Sequence, residues 1–186
     1  MPAPATIDEA FFDTAPVRYA TTWDVAVPAA ELWHDLTDRP LHWCRGVSVR
    51  WTSPRPFGVG TTRRVGVLGA LRADEYYFLW EEGRRHAFHI ARANLPLFKR
   101  FGEYYEVEPI GEHKCRFTWK IATELTALGR LNKPAVSLLV TSLFRDTTRY
   151  LGCRVVDPPA LQLRQPAPAR DTGHDSCHGH AGQGSR

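Results

Sequence analysis

The chain has 186 residues and a formal net charge of +4, with 20 acidic side chains interspersed among the basic ones. That suits one domain plus tails with a real core, and it argues against a nucleic-acid binder, which gathers its lysines and arginines beside aromatics. No apolar run reaches the ~18 residues that span a bilayer; with no signal-peptide h-region and no CxxC pair among Cys44, Cys115, Cys153 and Cys177, a soluble cytoplasmic protein with reduced thiols is expected.

Residues 1–18 read as an N-terminal arm that would dock through Phe11 and Phe12. Tyr19 to Val27, rich in aromatic and β-branched residues, reads as the first strand. Pro28 opens a short helix in which Leu32, Trp33 and Leu36 form a one-sided apolar stripe. Pro40 breaks it, and Leu41, Trp43 and Cys44 fit a second short helical turn ending at Gly46.

From Val47 the pattern changes to period two, with Val47, Val49 and Trp51 alternating with polar neighbours. Further strands read as 61–68, 71–82, 84–93, 99–108 and 115–124, separated by Gly- and Pro-bearing turns such as Gly69-Ala70 and Gly83. Six strands at short spacing predict an antiparallel meander. Asn132 to Cys153 then returns to a helical period. Val136, Val140, Leu143, Phe144, Thr147 and Leu151 share one face, while Arg145, Asp146 and Arg149 fall largely outside it. Asn132 is placed as N-cap and Pro134 in the first turn. About 20 helical residues make a rod of roughly 30 Å, which needs an apolar surface to lie on. Strands and helices segregated in this way predict an α+β domain. Residues 157–186 are Pro-, Gly- and polar-rich and read as a disordered tail.

The order β-α-α-β6-α resembles the helix-grip fold of the START-like or SRPBCC superfamily, which includes the polyketide cyclase/dehydrase and lipid-transport families. The resemblance is carried by Val25-Ala26-Val27, Pro28 through Trp33, Leu36-Thr37-Asp38, Trp43, Gly58-Val59-Gly60-Thr61 and Phe117-Thr118-Trp119, and it covers residues 19–156. It implies a curved antiparallel sheet gripping the last helix, with a hydrophobic cavity between them.

Alternation places His86, Phe88, Ile90 and Arg92, then Phe101, Glu103, Tyr105 and Val107, then Phe117, Trp119 and Ile121 on the concave face. In the strand 71–82 both registers are aromatic, so Tyr77 competes with Tyr76, Phe78 and Trp80 for that face. Trp33, Leu36, Val140, Leu143 and Phe144 would close the space from the helices. Aromatic walls with few polar groups make small-molecule pockets, although each residue taken alone also fits a plain core. Glu103 would orient His86 as a general base, or Tyr105 would donate to a carbonyl oxygen, giving catalytic candidates for enolate chemistry. The alternatives are exposure of both groups at a rim, or neutralisation of Glu103 by Arg63 or Arg92.

No cofactor is expected. Gly58 and Gly60 read as turn glycines with no helix behind them to aim at a phosphate, and no G-x-S-x-G elbow exists. His174, Cys177, His178 and His180 can bind metal adventitiously, but without a folded scaffold no physiological metal site is expected. The leading expectation is a carrier or sensor whose partner is a small hydrophobic ligand, such as a lipid or polyketide. The second is a cyclase/dehydrase-like enzyme using His86, Glu103 and Tyr105. The third is an interaction protein whose interior is filled by its own side chains.

Overall fold

Each period-two segment becomes a strand. The computed structural model describes residues 7–157 and 162–164. Strand β1 spans Val17–Val25, and β2 to β7 span Val47–Trp51, Thr62–Val67, Leu71–Glu81, Arg85–Ala93, Phe98–Gly111 and Lys114–Leu125. They form one antiparallel sheet in the order β2-β3-β4-β5-β6-β7-β1, so the first strand closes the far side of the meander. The sheet is curled, a half-barrel with the C-terminal helix in its trough. Helices α1 (Phe11–Thr14), α2 (Ala29–Asp38), α3 (Ala127–Leu131) and α4 (Lys133–Leu151) complete the main elements.

The predicted stripe of α4 is the buried one: Val136, Val140, Leu143, Phe144, Thr147 and Leu151 all face the sheet. Polar hooks accompany the apolar contact. Trp23 on β1 donates its indole N–H to Thr148 Oγ1 at 3.0 Å, and Trp43 donates to Thr147 Oγ1 at 2.9 Å. Tyr19 Oη lies 2.9 Å from Ser137 Oγ. A buried indole needs an acceptor. The helix carbonyls are committed to the helix itself, so hydroxyls on the helix supply it.

Asn132 holds the N-cap position of α4, but its side-chain amide donates back to the Leu128 carbonyl instead of capping. Asp146, placed largely outside the apolar stripe, is nevertheless buried, accepting the Arg45 backbone N–H at 3.1 Å and lying 3.6 Å from Arg149 Nη1. The second short helix expected around Leu41–Cys44 is a series of turns, with Leu41 at φ 58°.

The convex face is covered in part. Phe11 and Phe12 are buried against Ala87, Tyr104 and Ala122. Gly102 on β6 permits this, because a Cβ there would lie 2.2 Å from Ile7 Cδ1 and 3.0 Å from the Phe88 carbonyl oxygen. Two three-residue strands, β8 (Val155–Asp157) and β9 (Gln162–Arg164), add to the free edge of β1. The second falls within the stretch that composition assigns to a disordered tail: backbone pairing to Arg18–Ala20 requires no apolar side chain of its own. The histidine-rich segment 174–180 lies outside the described residues.

Two irregularities re-aim side chains. Between β4 and β5 the register skips Phe78 and later Ala91. An extra residue on one strand inverts the alternation beyond it. Tyr77 and Trp80 therefore both point into the concave side, resolving the strand whose faces were undecided, while Phe78 packs on the convex cluster.

Thr147 is fully buried and isosteric with valine. Thr147→Val should lower stability by about 1–2 kcal/mol in urea denaturation by orphaning the Trp43 indole. A double-mutant cycle with Trp43→Phe should recover most of that loss.

Candidate functional site

The concave interior has two ends. Toward α2 it is filled with rings. His86 stacks on Tyr105 with centroids 4.8 Å apart and on Trp80 at 5.2 Å, and meets Trp33 and Tyr77 edge-on at 5.3 Å. Toward the N-terminal half of α4 the walls are mainly aliphatic, and there a cavity of about 50 Å³ remains. Val47, Val65, Val67, Leu71, Ala73 and Ile90 line it from the sheet. Leu41, Phe98, Phe101, Leu139 and Leu143 close it, and the carboxyls of Glu75 and Glu103 face it.

A line of side chains crosses the sheet at this level. Arg63 pairs with Glu75 across β3 and β4, Glu75 with Ile90, Phe88 with Glu103, and Glu103 with Ile121. Arg63 and Glu75 are buried and joined by an ion pair, Nε to Oε2 at 2.5 Å. The Arg63 guanidinium also lies 4.3 Å from the Phe88 ring centre, a cation–π placement. Burial pushes the Glu75 carboxyl upward and Arg63 pulls it back.

Glu103 has no cation of its own. Its Oε2 accepts from Tyr105 Oη at 2.7 Å and from Trp119 Nε1 at 2.9 Å. Burial first, and the Glu75 carboxylate second, push it up to about 7; Arg63 and the two hydrogen bonds oppose the rise without cancelling it. The site thus holds two carboxyls against one guanidinium, so the second carboxyl is poised to bind or release a proton near neutral pH. Three buried polar atoms at the aromatic end have no protein partner: Arg63 Nη2, Tyr77 Oη and His86 Nδ1. Burial and the Arg63 charge hold His86 well below the ordinary imidazole value, so it is neutral. No group of three or more potential metal ligands occurs among the described residues.

Residues 16–155 match the family described as polyketide cyclase/dehydrase and lipid transport. The chain belongs to that family. A relative, the uncharacterized protein Rv2574 of Mycobacterium tuberculosis (strain ATCC 25618 / H37Rv), is 34% identical over 152 residues, which cover 77% of this chain and 90% of the relative. Among solved structures, a START superfamily protein from Mycobacterium smegmatis superposes with a TM-score of 0.54 at 12% identity, covering 72% of this chain and 99% of that one. A norcoclaurine synthase point mutant from Thalictrum, in complex with a transition state analogue, gives 0.52 at 14% identity, covering 72% and 92%. Such distant likenesses establish the helix-grip fold and nothing finer.

In this member of the polyketide cyclase/dehydrase and lipid transport family, Ile90, Phe101, Glu103 and Leu143 of the expected site line the cavity. Trp33, Leu36, Tyr77, Phe88, Phe117, Trp119, Val140 and Phe144 are buried in the core around it. Arg92 is not part of the site. The skipped Ala91 turns it to the exposed convex side, where it borders a groove with Arg72 and Asp74.

The expected contact between Glu103 and His86 is also not made. Register sets His86 opposite Tyr105 and Phe88 opposite Glu103, so the imidazole covers the tyrosine ring one pair along. The Tyr105 hydroxyl, expected to serve a carbonyl, is spent on Glu103. Arg63 does enter the site, but neutralises Glu75 and not Glu103. The β3–β4 hairpin is symmetric about Gly69, so the predicted Gly69-Ala70 turn carried the signal that would have set Arg63 opposite Glu75.

A carboxyl raised in the fold favours the protonated native state. Its contribution to stability is fully present below the ordinary glutamate value and is lost as pH rises through about 7. Glu103→Gln keeps an acceptor for both donors and removes the proton. The stability of wild type relative to E103Q should therefore fall by up to about 3 kcal/mol between pH 5 and pH 8. Paired denaturation curves at several pH values check this, and parallel pH profiles would remove the raised carboxyl from the site's chemistry.

Proposed function

We propose that this protein binds a small, largely apolar molecule in the concave interior, as a carrier or sensor. The observation that carries the reading is the aliphatic cavity between α4 and strands β2 to β6, with Glu75 and Glu103 as its polar features. Burial of apolar surface would drive binding, and the carboxyls would orient the guest. At about 50 Å³ the cavity is smaller than the roughly 150 Å³ that accepts benzene. It holds a few heavy atoms as it stands, and a larger guest requires side chains of the lining to move.

A second reading rests on Glu103. A carboxyl titrating near neutrality in an apolar cavity suits a general acid or base, as a cyclase or dehydrase acting beside a carbonyl would need. In that reading Tyr105 and Trp119 are positioning residues that hold Glu103, and His86 supports Tyr105 by stacking.

Ala73 lies on the cavity wall with its methyl inward. Ala73→Leu should fill much of the space and weaken binding of a fluorescent apolar probe by about tenfold, with little change in Tm. Retained affinity would place the probe elsewhere and overturn the cavity as binding site. Organic extraction of the purified protein identifies the guest. With that guest in hand, wild type and E103Q compared separate the two readings: a carrier returns the guest chemically unchanged from both, whereas an enzyme converts it in wild type and only binds it in E103Q.

A further inference from the structure

We propose that the cavity end of the domain is a docking surface for an anionic lipid bilayer. Five of the eight large apolar side chains exposed among the described residues gather at this end: Leu68, Leu95, Leu128, Leu131 and Leu138. Leu131 is 82% exposed, Leu68 73% and Leu138 68%.

Their placement follows from the elements that hold the cavity. Leu68 is the tip of the β3–β4 turn, between the cavity residues Val67 and Leu71. Leu95 lies in the β5–β6 connection, which is tied to that turn by Asn94 Nδ2 donating to the Ala70 carbonyl at 2.8 Å. The same connection is fastened to α3: Thr126 Oγ1 donates to the Pro96 carbonyl, and Gly129 sits so close that a Cβ there would be 2.0 Å from the Leu97 oxygen. Leu128 and Leu131 project from α3. Leu138 follows seven residues later on the outward side of α4, next to Leu139, which lines the cavity. The exposed leucines therefore lie on both sides of the cavity. Leu68, moreover, adopts φ 51°, a left-handed conformation that is costly for a bulky side chain, while standing in the open.

Charge selects the partner. From Leu125 to Arg145 the sequence contains no acidic residue. Arg130, Lys133 and Arg145 are exposed and form no ion pair among the described residues. The nearby acid at the end of β7, Glu124, is already shared by Lys99 and Arg100. Exposed leucines interspersed with uncompensated cations fit an interface of acyl chains beneath anionic headgroups. No helix among the described residues is long and apolar enough to cross a membrane, so the contact is peripheral. A guest passing between the cavity and the acyl layer would cross this rim without traversing water.

Co-sedimentation of the full chain with vesicles tests the proposal. Phosphatidylcholine vesicles containing phosphatidylglycerol should retain the protein at low salt, and pure phosphatidylcholine vesicles should retain far less. Leu131→Glu combined with Leu138→Glu, both at exposed positions, should weaken retention by at least about tenfold with Tm unchanged. Arg130→Ala and Lys133→Ala should each cost about fivefold, and added salt should mimic them. Failure of wild type to sediment with anionic vesicles, or equal sedimentation of the double variant, would overturn the proposal. So would a dimer, seen by light scattering without vesicles, that the double variant dissociates, since the leucines would then serve a second copy of the chain. Ala73→Leu should sediment like wild type, so loss of probe binding and loss of docking are read separately.

Discussion

Burial of one face of α4 in the trough of the sheet is the constraint on which the rest depends. A 19-residue helix with a continuous apolar stripe leaves a large surface to remove from water, and a flat sheet would cover only part of it. Curling brings β1 and β2, at opposite ends of the main strand order, to either side of the same helix. The fit then depends on rings whose polar atoms find hydroxyls on the helix. Trp23 and Trp43 reach adjacent threonines, and Thr148 in turn donates to the Phe144 carbonyl at 2.9 Å. Those directional contacts set the rotation of the rod within an otherwise greasy groove.

Closing the trough forces a choice about what fills it. At the α2 end, indole, phenol and imidazole rings stack into a block. At the other end the side chains are branched and shorter, and they do not close completely. Charged groups entered the interior at the boundary between the two. Arg63 and Glu75 compensate each other, whereas Glu103 has only neutral donors. Removing a carboxylate from water without a counter-charge favours the neutral acid. The raised proton affinity of Glu103 is thus a consequence of packing, not of any special reactivity of glutamate.

The concave face of the sheet is occupied by α4, and part of the convex face by the N-terminal arm through Phe11 and Phe12. Most of the large apolar side chains left exposed among the described residues lie at one end. The end that carries it is the one where β-hairpin turns and the α3–α4 corner converge on the cavity. Docking and ligand exchange would occur at the same place for that reason.

The main strands, helix α2 and the buried stripe of α4 were legible in the sequence, because period two and period 3.6 are local properties of the backbone. Alternation likewise put Glu103 and Tyr105 on the inner face correctly. Arg92 shows where local reasoning stops: one skipped residue at Ala91 reverses every side chain beyond it, and nothing in the residues themselves marks the skip. Which groups touch was decided by register between strands far apart in sequence, which paired His86 with Tyr105 and gave Arg63 to Glu75. The sequence by itself determined an α+β chain with a sheet, a long terminal helix and polar intruders on an apolar face. Only the tertiary structure decided that one intruder is neutralised, that another is left to hold a proton, and that a small cavity opens beside both, since charge compensation and cavity volume are properties of contacts across the fold and not of any single segment.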